Sequence, residues 1–108
     1  MQPMPHLERQ EAVDLLRQCL EEGELIPGRH FRDELGKERL CFEDAWHVLR
    51  TGQIYDEPEH DVKTGEWKYR VEGYETGGKW LAIILCFKSK AVAFLITVFS
   101  IASKRRKQ

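Results

Sequence analysis

Apolar positions change period part-way along the chain. In the first half, Leu7, Ala12, Val13, Leu15, Leu16, Cys19 and Leu20 recur at helical spacing. Charged residues fill the opposite face, so the pattern predicts an amphipathic helix over residues 6–22, stopped by Gly23. Glu24, Leu25 and Ile26 form a short, mostly apolar stretch, and Pro27 and Gly28 punctuate it. A brief helix is predicted over residues 30–35, ending at Gly36. Another runs from Phe42 or Glu43 to Arg50 and closes at Gly52. Glu43 and Asp44 fall in its first turn, where the helix dipole favours acids.

Beyond Gly52 the period shortens. Residues 53–56 form a short strand candidate, and 58–65 are polar with a turn at Lys63, Thr64 and Gly65. Residues 67–74 alternate apolar with polar, as a half-buried strand does. A hairpin signal at 76–79 follows. Residues 80–87 and 92–101 are apolar on both faces and read as central strands joined at 88–90, with helices on one side. Helices followed by strands predict an α+β fold, N-terminal helices packed on a three- to four-stranded antiparallel sheet. The whole of 1–108 is expected to form one domain, with a loose N-terminus over 1–5 and a basic tail over 103–108.

Composition adds an asymmetry. The formal net charge is −1, yet residues 1–61 hold 7 Lys/Arg against 15 Asp/Glu, and residues 62–108 hold 10 against 3. Such a split fits either two faces with different partners or two solvated charge sets that offset each other. The three cysteines, Cys19, Cys41 and Cys86, are widely spaced, which argues against a disulfide framework or a zinc knuckle. The N-terminus lacks a signal-peptide core. The apolar stretch over 80–102 is cut by Lys88 and Lys90, leaving pieces too short for the roughly 20 residues a bilayer span needs. A cytoplasmic protein without a membrane partner is the expectation.

The sequence has no phosphate-binding glycine loop, no H-E-x-x-H, no G-x-S-x-G and no dinucleotide fingerprint. No metal or cofactor is expected. His30 stands between Arg29 and Arg32 at a predicted helix start. Flanking cations favour the neutral, proton-accepting form of an imidazole, which suits a general base. The alternative is that His30 packs or caps the helix start. His47 reads as a satisfied core or interface residue, His60 as part of an acidic loop and His6 as exposed.

Strand alternation sends Lys68, Arg70 and Glu72 to one face and Trp67, Tyr69 and Val71 to the other. Two neighbouring cations on a sheet face can hold a phosphodiester, or can simply be solvated and balanced by Glu72. The tail residues Lys104, Arg105, Arg106 and Lys107 suit contact with a nucleic-acid backbone, or a solubilising role.

Several of these pieces together resemble a known family. They are Ile26 to Arg32, Leu40 to Ala45, Val48 to Ile54, Lys68 to Gly73 and Leu95 to Phe99, in that order and spacing. The resemblance is to domain-of-unknown-function family 4258, similar in turn to toxins of the RelE and BrnT type, and spans residues 24–101. It implies a small ribonuclease that cleaves RNA without a metal by attack of the 2′-hydroxyl. It also implies RNA as partner, together with an antitoxin carrying a zinc ribbon and a helix-turn-helix. Carried onto this chain, the implied site is His30, Arg32, Lys68, Arg70, Glu72 and Thr97. The chain departs from the family pattern at Cys41, where members tend to carry Ser or Thr as a helix cap. It also departs in its near-zero net charge.

Two functions follow as expectations. One is a toxin-type, metal-independent endoribonuclease. The other is a non-catalytic module that binds nucleic acid or protein. Oligomeric state is not set by the sequence.

Overall fold

A computed structural model describes residues 2–101; the tail cations Lys104, Arg105, Arg106 and Lys107 lie outside the described residues. Three helices appear: α1 (Arg9–Glu22), α2 (Arg29–Lys37) and α3 (Phe42–Thr51). The strands are β1 (Glu24–Pro27), β2 (Gln53–Ile54), β3 (Glu59–His60), β4 (Trp67–Tyr74), β5 (Trp80–Ser89) and β6 (Val92–Ile101). The α+β class is thus observed.

The expected three or four strands become six among the described residues, in the order β1-β6-β5-β4-β2, with β3 also paired to β4. Nor is the sheet wholly antiparallel, because β1 runs parallel to β6 and pairs Glu24 with Val92. The short strand expected over 53–56 is β2; the two that were not expected, β1 and β3, are four and two residues long. So short a segment carries no period of its own, and only the ladder of a distant partner makes it a strand.

Strand parity divides the sheet into two faces. Tyr69 and Val71 of β4, Leu81, Ile83, Leu85 and Phe87 of β5, and Ala93, Leu95 and Val98 of β6 share one buried cluster. The same cluster takes in Ala12, Val13, Leu16 and Cys19 of α1, Phe31 and Leu35 of α2, and Ala45, Val48 and Leu49 of α3. All three helices therefore lie against one face of the sheet. Arg17 ties α1 to the end of α3 by donating to the Gly52 carbonyl at 2.8 Å. Met4 and Leu7 pack on the core edge, and the Leu7 N–H donates to the Tyr69 hydroxyl at 2.9 Å.

Two local features set positions on the other face. The β5–β6 register steps from Ile84↔Thr97 to Leu85↔Leu95, which makes Ile96 the extra residue of a β-bulge. After it the parity of β6 inverts, so Val98 joins the core and Thr97 does not. Gly52 ends α3 directly against β4, and a Cβ there would lie 2.5 Å from the Glu72 carbonyl oxygen. Its neighbour across the gap is Gly73, whose own Cβ would sit 3.1 Å from Gly52 Cα. This glycine pair draws the end of α3 over the outer edge of β4.

At the start of α3 the Asp44 carboxylate accepts from the Cys41 N–H at 2.9 Å and from Cys41 Sγ at 3.3 Å. These bonds hold the Asp44 carboxyl below its ordinary value. The capping box closes despite the cysteine.

Candidate functional site

The face opposite the helices carries the polar set of β4. Lys68, Arg70, Glu72 and Tyr74 alternate along it, as period 2 requires. Register places Arg70 beside Ile84 and Ile84 beside Thr97, so Arg70 and Thr97 stand in one row about 10 Å apart across β5. Four of the expected residues, Lys68, Arg70, Glu72 and Thr97, thus share this face.

Arg70 and Glu72 are the centre of it. Glu72 is 1% exposed, and a carboxylate is stable at such burial only when charge and donors meet it. The Trp80 indole N–H donates to its Oε1 at 2.9 Å. Arg70 Nε lies 2.9 Å from Oε2, although its N–H points away from that line, so the contact is ionic rather than a hydrogen bond. The Arg70 guanidinium also sits over the Phe99 ring, 5.2 Å from its centre. These contacts fix the guanidinium in place. They make Glu72 a residue that positions Arg70, a role the sequence reading did not separate from catalysis.

Lys68 pairs with Asp61 at 3.3 Å, and Lys88 with Glu66 at 2.6 Å. The Glu66 carboxylate raises the Lys88 ammonium above its ordinary value. Three cations on or beside this face therefore each have an acid beside them.

A cleft of about 370 Å³ opens where β2 ends against β4. Its walls include His47 and Thr51 of α3, Tyr55 after β2, and Glu72, Tyr74 and Trp80. Tyr74 meets Trp80 edge-on at 4.8 Å, and Tyr55 lies 6.4 Å from the same indole. Burial of Glu72 as a cleft wall links this space to Arg70. Nothing in the sequence marks Tyr55 or Tyr74 as a site residue. His47 had been read as a core or interface residue; it is half-buried and faces this cleft. No sequence motif marks it, because the cleft exists only once Gly52 brings α3 to the β4 edge.

The remaining expected residues lie elsewhere. Arg29, His30 and Arg32 are exposed on the first turn of α2, which packs against β6. Strand β5 separates β6 from the strand that bears Arg70. His60 lies tilted over Trp67, ring centres 4.5 Å apart, and His6 meets the same indole edge-on at 4.8 Å. Among the described residues no cluster of three or more His, Cys, Asp or Glu is arranged to hold a metal ion. No described helix is long and apolar enough to cross a membrane.

No curated protein and no solved structure matches the chain. A family does: residues 28–100 match the one described as Domain of unknown function (DUF4258). That stretch begins at the cap of α2, leaves α1 and β1 outside, and holds Arg70, Glu72, His47 and every wall of the cleft. It covers well over half the sequence, and the chain belongs to this family of domains of unknown function.

Proposed function

We propose that the open sheet face binds single-stranded RNA and cleaves it without a metal, in the manner of RelE- and BrnT-type toxins. The observation that carries this reading is Arg70, fixed between buried Glu72 and Phe99, next to a cleft lined by His47. A held guanidinium suits the growing negative charge of a phosphorane, since it needs no reorganisation at the moment of reaction. In the step, the 2′-hydroxyl oxygen attacks phosphorus and its proton passes to an imidazole. The bond from phosphorus to the 5′-oxygen breaks, and that oxygen takes up a proton from water as it leaves. The products are a 2′,3′-cyclic phosphate and a 5′-hydroxyl. His47 is the base in this scheme, and Thr97 and Lys68 contact the phosphate flanks. Arg29, His30 and Arg32 stand on α2, against the other face of the sheet, and lie outside this scheme. The toxin likeness extends the proposal to an antitoxin partner with a zinc ribbon and a helix-turn-helix.

The test is cleavage of unstructured RNA in EDTA. His47→Gln is expected to lose about 100-fold or more, the usual share of a general base. Arg70→Lys, which keeps the charge but not the planar fork, loses activity as well. His30→Ala retains cleavage if His47 is the base and loses it if His30 is. Absence of any cleavage by the unaltered protein sinks the nuclease reading.

A second reading has its own observation. Lys68, Arg70 and Lys88 are all paired with acids, which leaves little free positive charge for a polyanion. That pairing favours a non-catalytic module which binds a protein through the same face. Salt-insensitive binding to a protein partner, without RNA binding, is its signature.

A further inference from the structure

The cleft at the β2–β4 edge has features that phosphate chemistry does not require. Three aromatic side chains, Tyr55, Tyr74 and Trp80, converge on it. Trp80 is buried and its indole N–H is committed to Glu72, so it forms a fixed floor. Tyr74 is 44% exposed and offers its ring to solvent. Burying a carboxylate beneath this floor holds Trp80 in one orientation. The volume, about 370 Å³, falls in the range of roughly 300–1,000 Å³ typical of small-molecule sites. Polar groups of His47, Thr51 and Gln53 line the rim.

We infer that this cleft seats one unstacked nucleobase of the RNA strand, laid against Tyr74 and Tyr55 above Trp80. The inference rests on the RNA reading above and deepens it. Unpaired bases are held in proteins by aromatic platforms, because every base has a π-face, while the rim groups meet the base edge. The neighbouring Arg70 then meets the phosphate of the same strand. The aromatic cleft and the cation are joined through Glu72, which touches both. Seating a base there holds the strand across the open face and confines cleavage to single-stranded segments.

The experiment follows the Trp80 indole N–H and the Tyr55 and Tyr74 ring resonances by NMR. Titrants are the four nucleoside 3′-monophosphates, with ribose 5-phosphate as the probe that lacks a base. The nucleotides are expected to shift these resonances saturably, and ribose phosphate is not. Tyr74→Ala weakens nucleotide binding by about 5- to 100-fold, as loss of a stacked base does. Tyr55→Leu gives a second, independent variant, and circular dichroism checks that both variants stay folded. Equal shifts from ribose phosphate, or unchanged binding in both variants, overturns the inference. If RNA is cleaved and Tyr74→Ala leaves KM unaltered, the base site is wrong and the nuclease reading stands. If nucleotides bind and RNA is never cut, the reverse holds.

Discussion

The two faces of the sheet are made by the same strands and yet are built on different principles. The helix-covered face is closed by apolar side chains, Tyr69, Val71, Ile83, Leu85 and Val98 among them, against three helices. On the other face, Glu72, Ala82 and Cys86 are also buried, although no described helix packs there. Their burial comes from neighbours on the face itself: Trp80 over Glu72, Phe99 beneath Arg70, and the Lys88–Glu66 pair beside Cys86. A polar pattern in the sequence thus does not make a wet surface. Long aromatic and cationic side chains can shelter a charge without a second layer.

Truncations on the two faces break this comparison most directly. Leu85→Ala, in the core, is expected to cost about 2–5 kcal/mol of stability. Ile84→Ala, one residue along on the open face and half-buried, costs less than about 1.5 kcal/mol. Urea unfolding midpoints measure both, and equal losses would mean that the open face is covered in solution.

The buried ion pair gives the next largest effect. Arg70→Met removes the cation beside a carboxylate that stays buried, at a cost of about 3 kcal/mol. Adding Glu72→Met to that variant recovers much of the loss, because no charge is then left unmatched. A double-mutant cycle in chemical unfolding checks it; strictly additive losses would show that the pair is not coupled.

Two glycines sharpen the contrast between packed and open positions. Gly52→Ala drives a Cβ into the Glu72 and Val48 carbonyl oxygens, at 2.5 and 2.7 Å, and is expected to destabilise by about 1–3 kcal/mol. It should also disturb the cleft, since the same contact sets how near α3 lies to β4. Gly36→Ala, within α2 and facing open space, is expected to stabilise by about 0.5–1 kcal/mol. Thermal unfolding of the pair reads both signs.

The smallest effect appears only in alkali. Burial, reinforced by the Glu66 carboxylate, pushes the Cys86 thiol up to about 11. The unfolded chain ionises that thiol near its ordinary value of 9.0, and so binds fewer protons than the folded chain between those two values. Stability therefore falls as pH rises from about 9 toward 11, and is unaffected below that window. Cys86→Ala makes the slope shallower; Cys19, Tyr69 and Lys88, also raised above their ordinary values, keep part of it. In parallel, exposed Cys41 is alkylated at neutral pH while buried Cys19 and Cys86 are protected.

Much of the candidate face could be read from residues 67–74. Alternation alone placed Lys68, Arg70 and Glu72 together, and the period-2 rule needs no partner to apply. The helical stripe through Ala12, Val13, Leu16 and Cys19 was legible for the same reason, although α1 begins at Arg9 rather than at His6. Gly36, read as a helix stop, lies inside α2, which runs on to Lys37. The place of His47 in the cleft was not legible, because a helical pattern states which residues are apolar, not which of their polar neighbours meets a distant strand.

The sequence by itself determined the α+β class, the three long strands and the side of β4 that carries the charges. These are local matters, set by spacing within one segment. Only the tertiary structure decided that β1 joins β6 in parallel, that His47 faces Tyr55 and Tyr74 across a cleft, and that Thr97 stands in the row of Arg70. Thr97 shows the reason. Unbroken alternation through Ala93 and Leu95 sends it into the core. The bulge at Ile96 turns it outward, and a bulge is a property of two strands in register, which neither strand's sequence states alone.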